Sequence, residues 1–293
     1  MNSFLESYKK ILSTLEVQIA IRNYFIQRRK PKLTDIELIA LDLTAQYLSI
    51  DSECQLFRVI ASTDLHQKIE RSVYNRRKRK LAPFIEIIRK KLALSFNQFE
   101  DYFIVDSMPL EVCKLSRSSR AKVCKENFET APNKGFCASQ NMNFYGYKLH
   151  AVCSITGVFQ SIDISKASVH DIQYLKDLKH ELSDCVLIGD KGYLSASQQL
   201  DLFQTAKITL DTPMRKNQKE FKKQPYIFKK SRKRIETLFS QLCDQFKIRN
   251  NYAKSFDGFK TRILSKITAL TTIQFINKFH FNRNINNIKI AII

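Results

Sequence analysis

Apolar residues recur at intervals of three and four through the first part of the chain. Phe4, Leu5, Tyr8, Ile11, Leu12, Leu15 and Ile19 form one such stripe and predict a helix with a single buried face, ended by the basic run Arg28-Arg29-Lys30 and by Pro31. Thr34-Asp35-Ile36-Glu37 has the form of a capping box, in which the Thr hydroxyl and the Glu carboxylate satisfy amides at a helix start. Ile36, Ile39, Ala40, Leu43 and Tyr47 continue the apolar face of that second helix. Shorter helical patterns follow around Leu56-Phe57-Ile60, from Leu65 to Ile69, and from Pro83 to Leu94. The first glycine is Gly135, which favours helix over tight turns before it. Residues 1–98 therefore read as an all-helical module, helix-turn-helix-like in character.

From about residue 100 the period changes to short apolar runs separated by turns. Tyr102 to Val105 reads as a buried strand, and Tyr145 to Ile155 with Val158 to Ile164 as a hairpin joined at Thr156-Gly157. Asp171 to Leu182 and Ser195 to Thr205 are predicted helices, with Cys185 to Ile188 and Ile208 to Leu210 as strands between and after them. Helices from Ser231 to Phe246 and from Phe259 to Phe279 close the chain. Strands followed by alternating helix and strand predict an α/β domain around one mixed sheet over 99–293.

Charge adds a partner to this picture. The chain has 49 Lys and Arg against 28 Asp and Glu, a net charge of +21, which calls for a polyanion and most directly for nucleic acid. No apolar run is long enough to span a membrane, and no leader-like segment opens the sequence, so a cytoplasmic, nucleoid-associated protein is expected. The helical module concentrates Arg76, Arg77, Lys78, Arg79 and Lys80 in one segment, a candidate for DNA contact. The seven cysteines lie scattered, as expected of reduced thiols rather than of a disulfide framework or a zinc site.

Candidate chemistry lies in the acids. The apolar runs Phe103-Ile104-Val105 and Leu187-Ile188-Gly189 each lead into an aspartate, Asp106 and Asp190. Strands apolar on both faces belong at the centre of a covered sheet, and acids that end them stand where α/β sheets bind ligands. Glu236 lies at the margin of the stripe Ile235, Leu238, Phe239, Leu242 and Phe246, among Lys229, Lys230, Arg232, Lys233 and Arg234. Gathering three carboxylates is unfavourable without cations, and hard oxygen donors select Mg²⁺ or Mn²⁺. A pair of such ions suits phosphodiester chemistry. Asp171 is expected to cap the helix that begins at Ile172, and His150 and His170 are expected to be structural rather than catalytic bases.

The segments Val105-Asp106-Ser107-Met108-Pro109, Gly189-Asp190-Lys191-Gly192-Tyr193 and Arg234-Ile235-Glu236-Thr237-Leu238-Phe239-Ser240-Gln241 resemble the three motifs of bacterial insertion-sequence transposases of the DDE class. Tyr145 to His150, Val169-His170-Asp171 and Thr212 to Asn217 extend the resemblance over most of the chain. It implies a ribonuclease-H-like fold with a five-stranded mixed sheet flanked by helices. In it Asp106, Asp190 and Glu236 would hold two Mg²⁺ or Mn²⁺ ions and cleave transposon ends before joining them to target DNA. Lys191, Arg215 and Lys216 join the cations expected to touch DNA, with Lys229, Lys230, Arg232 and Lys233. A homodimer in the DNA complex is expected by analogy, with no small-molecule cofactor. The pattern departs in one respect: many relatives place a Tyr three residues before the motif Arg and a Lys seven beyond the acid, where this chain has Lys229 and Cys243. Two alternatives remain open, a ribonuclease-H-like nuclease without strand transfer and an inactive DNA-binding regulator derived from a transposase.

Overall fold

The computed structural model describes the chain except residues 1, 27–28, 97–99, 139, 215–220, 222 and 293. Two compact units emerge: residues 1–95 with 241–293, and residues 96–240. The C-terminal segment thus belongs with the N-terminal helices, whereas the sequence pattern assigns everything from 99 onward to the sheet domain. The reason lies in the helix α9 (Phe256–Phe275), which is buried on almost every side from Phe259 onward. A helix without a polar face needs other helices around it. Its Lys266 reaches Asp51 Oδ1 at 3.1 Å and the carbonyl of Phe246 at 2.6 Å.

In the helical unit, α1 (Asn2–Gln18) buries Phe4, Tyr8, Ile11 and Leu15 as expected. It stops well short of the basic run, because the backbone beyond it serves the next helix. Ile36 N donates to the carbonyl of Arg22 at 3.1 Å, and Asp35 Oδ2 accepts from the amide of Tyr24 at 2.9 Å. The capping box forms at the start of α2 (Asp35–Tyr47): Glu37 N donates to Thr34 Oγ1 at 3.2 Å while Thr34 N donates to Glu37 Oε2 at 2.7 Å. Then come α3 (Glu53–Val59), α4 (Arg71–Lys80) and α5 (Ala82–Leu94).

The basic helix α4 divides its charges between two directions. Arg76, Arg79 and Lys80 are exposed. Arg77 pairs with Asp35 at 2.6 Å and Lys78 with Asp42 at 2.6 Å. Lys78 is only 4% exposed, so it is a core cation and not a DNA-facing one. The cause is Asp42 in the apolar interior, a carboxylate that also accepts from Tyr74 Oη at 2.9 Å and Gln46 Nε2 at 3.1 Å. Burial pushes the Asp42 carboxyl up, but the Lys78 ammonium and the side-chain hydrogen bonds to the carboxylate together hold the group below its ordinary value.

The second unit is built on β1 (Tyr102–Cys113), β2 (Asn133–Cys137), β3 (Met142–Ser154), β4 (Phe159–Lys166), β5 (Val186–Ile188) and β6 (Thr209–Asp211), six strands in one sheet. β1 pairs antiparallel with β3 on one side and parallel with β5 on the other, and β5 pairs parallel with β6. The outer edge of β3 is shared: β2 takes Met142 to Gly146 and β4 takes Tyr147 to Cys153. Thr156-Gly157 turns the chain between β3 and β4 as expected, with Gly157 at φ +98°, a conformation open chiefly to glycine. Helices α6 (Tyr174–Leu178) and α7 (Ala196–Ala206) pack Tyr174, Leu175, Leu178 and Leu202 onto Phe103, Val105 and Leu187. The first part of α8 (Tyr226–Asp244) completes the unit. Core strands in the order β4-β3-β1-β5-β6, helices around them and a helical region before them are the ribonuclease-H-like arrangement that the resemblance implies. β2 is a sixth strand beyond the five expected, formed by a stretch with no clear strand pattern.

Candidate active site

The position of the two aspartates follows from strand register. Parallel pairing of β1 with β5 runs from Tyr102 opposite Val186 to Ile104 opposite Ile188, and then stops. Asp106 lies two residues further along β1, and Asp190 two residues past the end of β5, where it caps the turn Lys191–Tyr193, so both acids follow the point at which the pairing stops. Asp106 does not end its strand, as the sequence suggests; β1 continues past it against β3, with Asp106 opposite Ala151. Each carboxylate is oriented by its own backbone. Ser107 N donates to Asp106 Oδ1 at 2.8 Å, and Gly192 N donates to Asp190 Oδ1 at 2.7 Å.

Burial pushes the Asp106 carboxyl up to about 7, with the neighbouring charges of Asp190 and Asp171 adding to the effect. The Ser107 amide and Arg232 act in the opposite sense without cancelling it. A desolvated acid crowded by two other acids is a place where positive charge is strongly favoured.

Asp171 belongs to this group for a reason the sequence hides. The turn Asp171–Gln173 is capped by His170, whose Nδ1 accepts from the amide of Ile172 at 3.3 Å. Freed from that role, the Asp171 carboxylate accepts from Lys148 Nζ at 3.0 Å, and Lys148 also donates to the carbonyl of Val169 at 3.0 Å. His150, 1% exposed, bonds Ser165 Oγ through Nε2 at 2.7 Å and places Nδ1 3.9 Å from Asp171 Oδ1. Burial lowers its pKa in spite of Asp171, so the ring stays neutral near pH 7, a structural role rather than a base.

Tyr193 lies in the motif after Asp190 but carries no separate signal in the sequence. Its ring is 1% exposed and its hydroxyl has no hydrogen-bond partner among the described residues. An unpaired buried hydroxyl costs about 1–3 kcal/mol. Burial, then Asp171, Asp106 and Asp190 in turn, raise its pKa well above 10, so the hydroxyl keeps its proton.

On α8, Ile235, Leu238 and Phe239 are buried, and Phe159 stacks on Phe239 with ring centroids 6.3 Å apart. Arg232, one turn before Glu236, acts on Asp106. Residues four apart share a helix face, so Glu236 lies on the same side of α8 as Arg232. Glu236 itself is exposed. Among the described residues, no three His, Cys, Asp or Glu side chains are gathered closely enough to hold an ion. Asp190 and Asp171 act on Asp106 through their charges, and Glu236 stands exposed on α8. Lys191, Lys229, Lys230 and Lys233 are exposed and Arg232 is half-buried. Arg215 and Lys216 lie outside the described residues.

A family model described as the transposase DDE domain matches residues 97–272, more than half of the chain and a range that contains the three candidate acids. The chain belongs to the DDE transposase family. No curated protein and no solved structure matches it. DDE domains generally use divalent cations, and the donor chemistry here suits them: carboxylate oxygens alone, one acid desolvated beside others. No helix among the described residues is long and apolar enough to cross a membrane, and no disulfide joins cysteines among them.

The clamp on Asp190 makes Gly192 a sensitive point of this DDE domain. A Cβ there would lie 2.9 Å from Asp190 Oδ1. Gly192→Ala is expected to turn the carboxylate and lower DNA cleavage about tenfold with little change in melting temperature. Cleavage within twofold of the parent would show that the clamp is dispensable.

Proposed function

We propose that the protein cleaves DNA at the ends of its insertion sequence and joins those ends to target DNA, with Asp106, Asp190 and Glu236 holding two Mg²⁺ or Mn²⁺ ions. The observation that carries this reading is the pair Asp106 and Asp190, each two residues beyond the last paired position of β1 with β5 and inside the DDE match, with Asp106 desolvated. When bound, the cations supply an activated attacking oxygen and stabilise the leaving oxygen of the phosphodiester. Asp106 and Asp190 provide oriented oxygens, each tied to a backbone amide. Glu236 provides a third carboxylate from the face of α8 that carries Arg232. The exposed cations Lys191, Lys229, Lys230 and Lys233, with Arg76, Arg79 and Lys80 of the helical unit, offset the charge of the DNA backbone and make binding strongly salt-dependent. Pairing of two DNA ends by a homodimer completes the proposal.

Purified protein with Mg²⁺ or Mn²⁺ and end-containing DNA is expected to nick and to join. Glu236→Gln is expected to lower both by a hundredfold or more, with DNA affinity within about twofold. Cleavage without joining would assign the protein to the nuclease alternative, and binding without cleavage to the regulator.

A further inference from the structure

The outward side of α4 carries Ser72, Asn75, Arg76 and Arg79, spaced three and four apart along one helix face, while Tyr74 and Lys78 on the other side are buried. An open cleft of about 510 Å³ lies against it, lined by Glu53 of α3 and by Arg71, Ser72, Asn75 and Arg76. There Asn75 Nδ2 donates to Glu53 Oε1 at 2.7 Å. A carboxylate only accepts, so the bond fixes which end of the amide is nitrogen and which is oxygen. It uses one of the two amide hydrogens. The other hydrogen and Oδ1 have no protein partner among the described residues, and both are available to a ligand in the cleft. Glu53 also restricts what that ligand can be. A phosphate set against its carboxylate would be repelled, so the centre of an otherwise cationic face suits uncharged base edges and leaves the arginines beside it for the backbone.

We infer that Asn75 reads an adenine in the major groove and that Glu53 is the positioning residue that sets its amide. Oδ1 accepts from the adenine N6 amino group while the free Nδ2 hydrogen donates to N7, the bidentate pattern by which asparagine recognises adenine. Guanine at the same place offers O6 to Oδ1, acceptor against acceptor, and is rejected. An amide turned over would face N6 with a donor and N7 with an acceptor and lose both bonds, which is what the bond to Glu53 prevents. The inference rests on the DNA reading of the helical unit proposed above and adds to it a base that the unit distinguishes.

The test is selection by the full chain from a pool of duplexes with a randomised central segment, followed by affinity titrations on the selected motif. The parent is expected to select a motif with a defined adenine. Asn75→Ala is expected to lose that preference alone, with affinity for the parent's motif lower by about tenfold or more and an unchanged salt slope. Replacing that adenine by 7-deazaadenine, which lacks the N7 acceptor, is expected to weaken the parent severalfold and to leave Asn75→Ala unaffected. Glu53→Gln, whose side chain no longer dictates the orientation of the amide, is expected to relax the same position while melting within a few degrees of the parent. A motif without adenine, a preference that survives Asn75→Ala or Glu53→Gln, or a parent indifferent to 7-deazaadenine at every selected adenine overturns the inference. The last measurement needs no variant and stands even where a variant fails to fold. A parent that binds DNA without sequence preference overturns the inference and spares the DNA reading of the helical unit; a parent that binds no DNA overturns both.

Discussion

Asp106→Asn is expected to abolish cleavage, by a thousandfold or more, and at the same time to raise the melting temperature of the metal-free protein. Both effects come from the same burial. The folded carboxyl titrates at about 7, whereas in the unfolded chain it titrates near an ordinary aspartate value of about 4. Between those values the folded state binds more protons than the unfolded one, so stability falls as pH rises through that window and the full penalty applies above about 7. One pKa unit corresponds to about 1.4 kcal/mol. With some screening at the partly open side, the penalty at pH 8 is on the order of 2–4 kcal/mol, or roughly 5–10 °C in melting temperature. Asparagine has the same shape and no charge. The gap between variant and parent should therefore be near zero at pH 4, open between pH 4 and 7, and stay constant beyond. Added Mg²⁺ should close it by stabilising the parent alone. A variant that melts below the parent at pH 8, or a gap that ignores pH, would contradict this account. A stability penalty at a site that function requires is the exchange expected of active sites.

The limits of sequence reading show the same physics from the other side. The capping box at Thr34 and Glu37 and the turn at Thr156-Gly157 were legible because each is a local device whose partners lie within a few residues. The motif aspartates were legible too, since an acid after an apolar run marks a strand approaching solvent. Asp106 nevertheless sits inside β1, because β3 extends beyond the end of β5 and keeps the strand going. Sequence reports where apolar residues run, not how long the neighbouring strand is. The sequence reads Asp171 as a cap because acids often cap; His170 takes that role and leaves the carboxylate to Lys148 of β3. Tyr193, in the second motif segment, gives no separate signal, since a buried aromatic after a strand is ordinary core. What distinguishes it is the burial of a hydroxyl that has no partner among the described residues. The place of α9 was hidden for the same reason: a helix buried on all sides names no partner, and its partners lie at the other end of the chain.

Lys78 shows how burial alters the meaning of a charge. In the sequence it is one of five consecutive cations and reads as part of a DNA-binding face. In the structure its ammonium compensates Asp42, which lies fully buried in the helical unit. Removing one partner of such a pair leaves an unpaired charge in a medium that cannot solvate it, at a cost of about 3–5 kcal/mol. Lys78→Ala is therefore expected to lower unfolding stability by that amount in denaturant titrations, while Arg79→Ala, one residue on and exposed, should change it by less than about 0.5 kcal/mol. The DNA readout is expected to run the other way. Arg79→Ala should reduce the slope of log affinity against log salt by about one, as for a lost phosphate contact. Lys78→Ala, measured where the protein remains folded, should leave that slope unchanged. If Lys78→Ala lowers the salt slope and spares the fold, the ammonium faces DNA after all and Asp42 must find its compensation elsewhere. The opposite pattern would mean that α4 carries two sets of cations, one that maintains the helical unit and one that meets the polyanion.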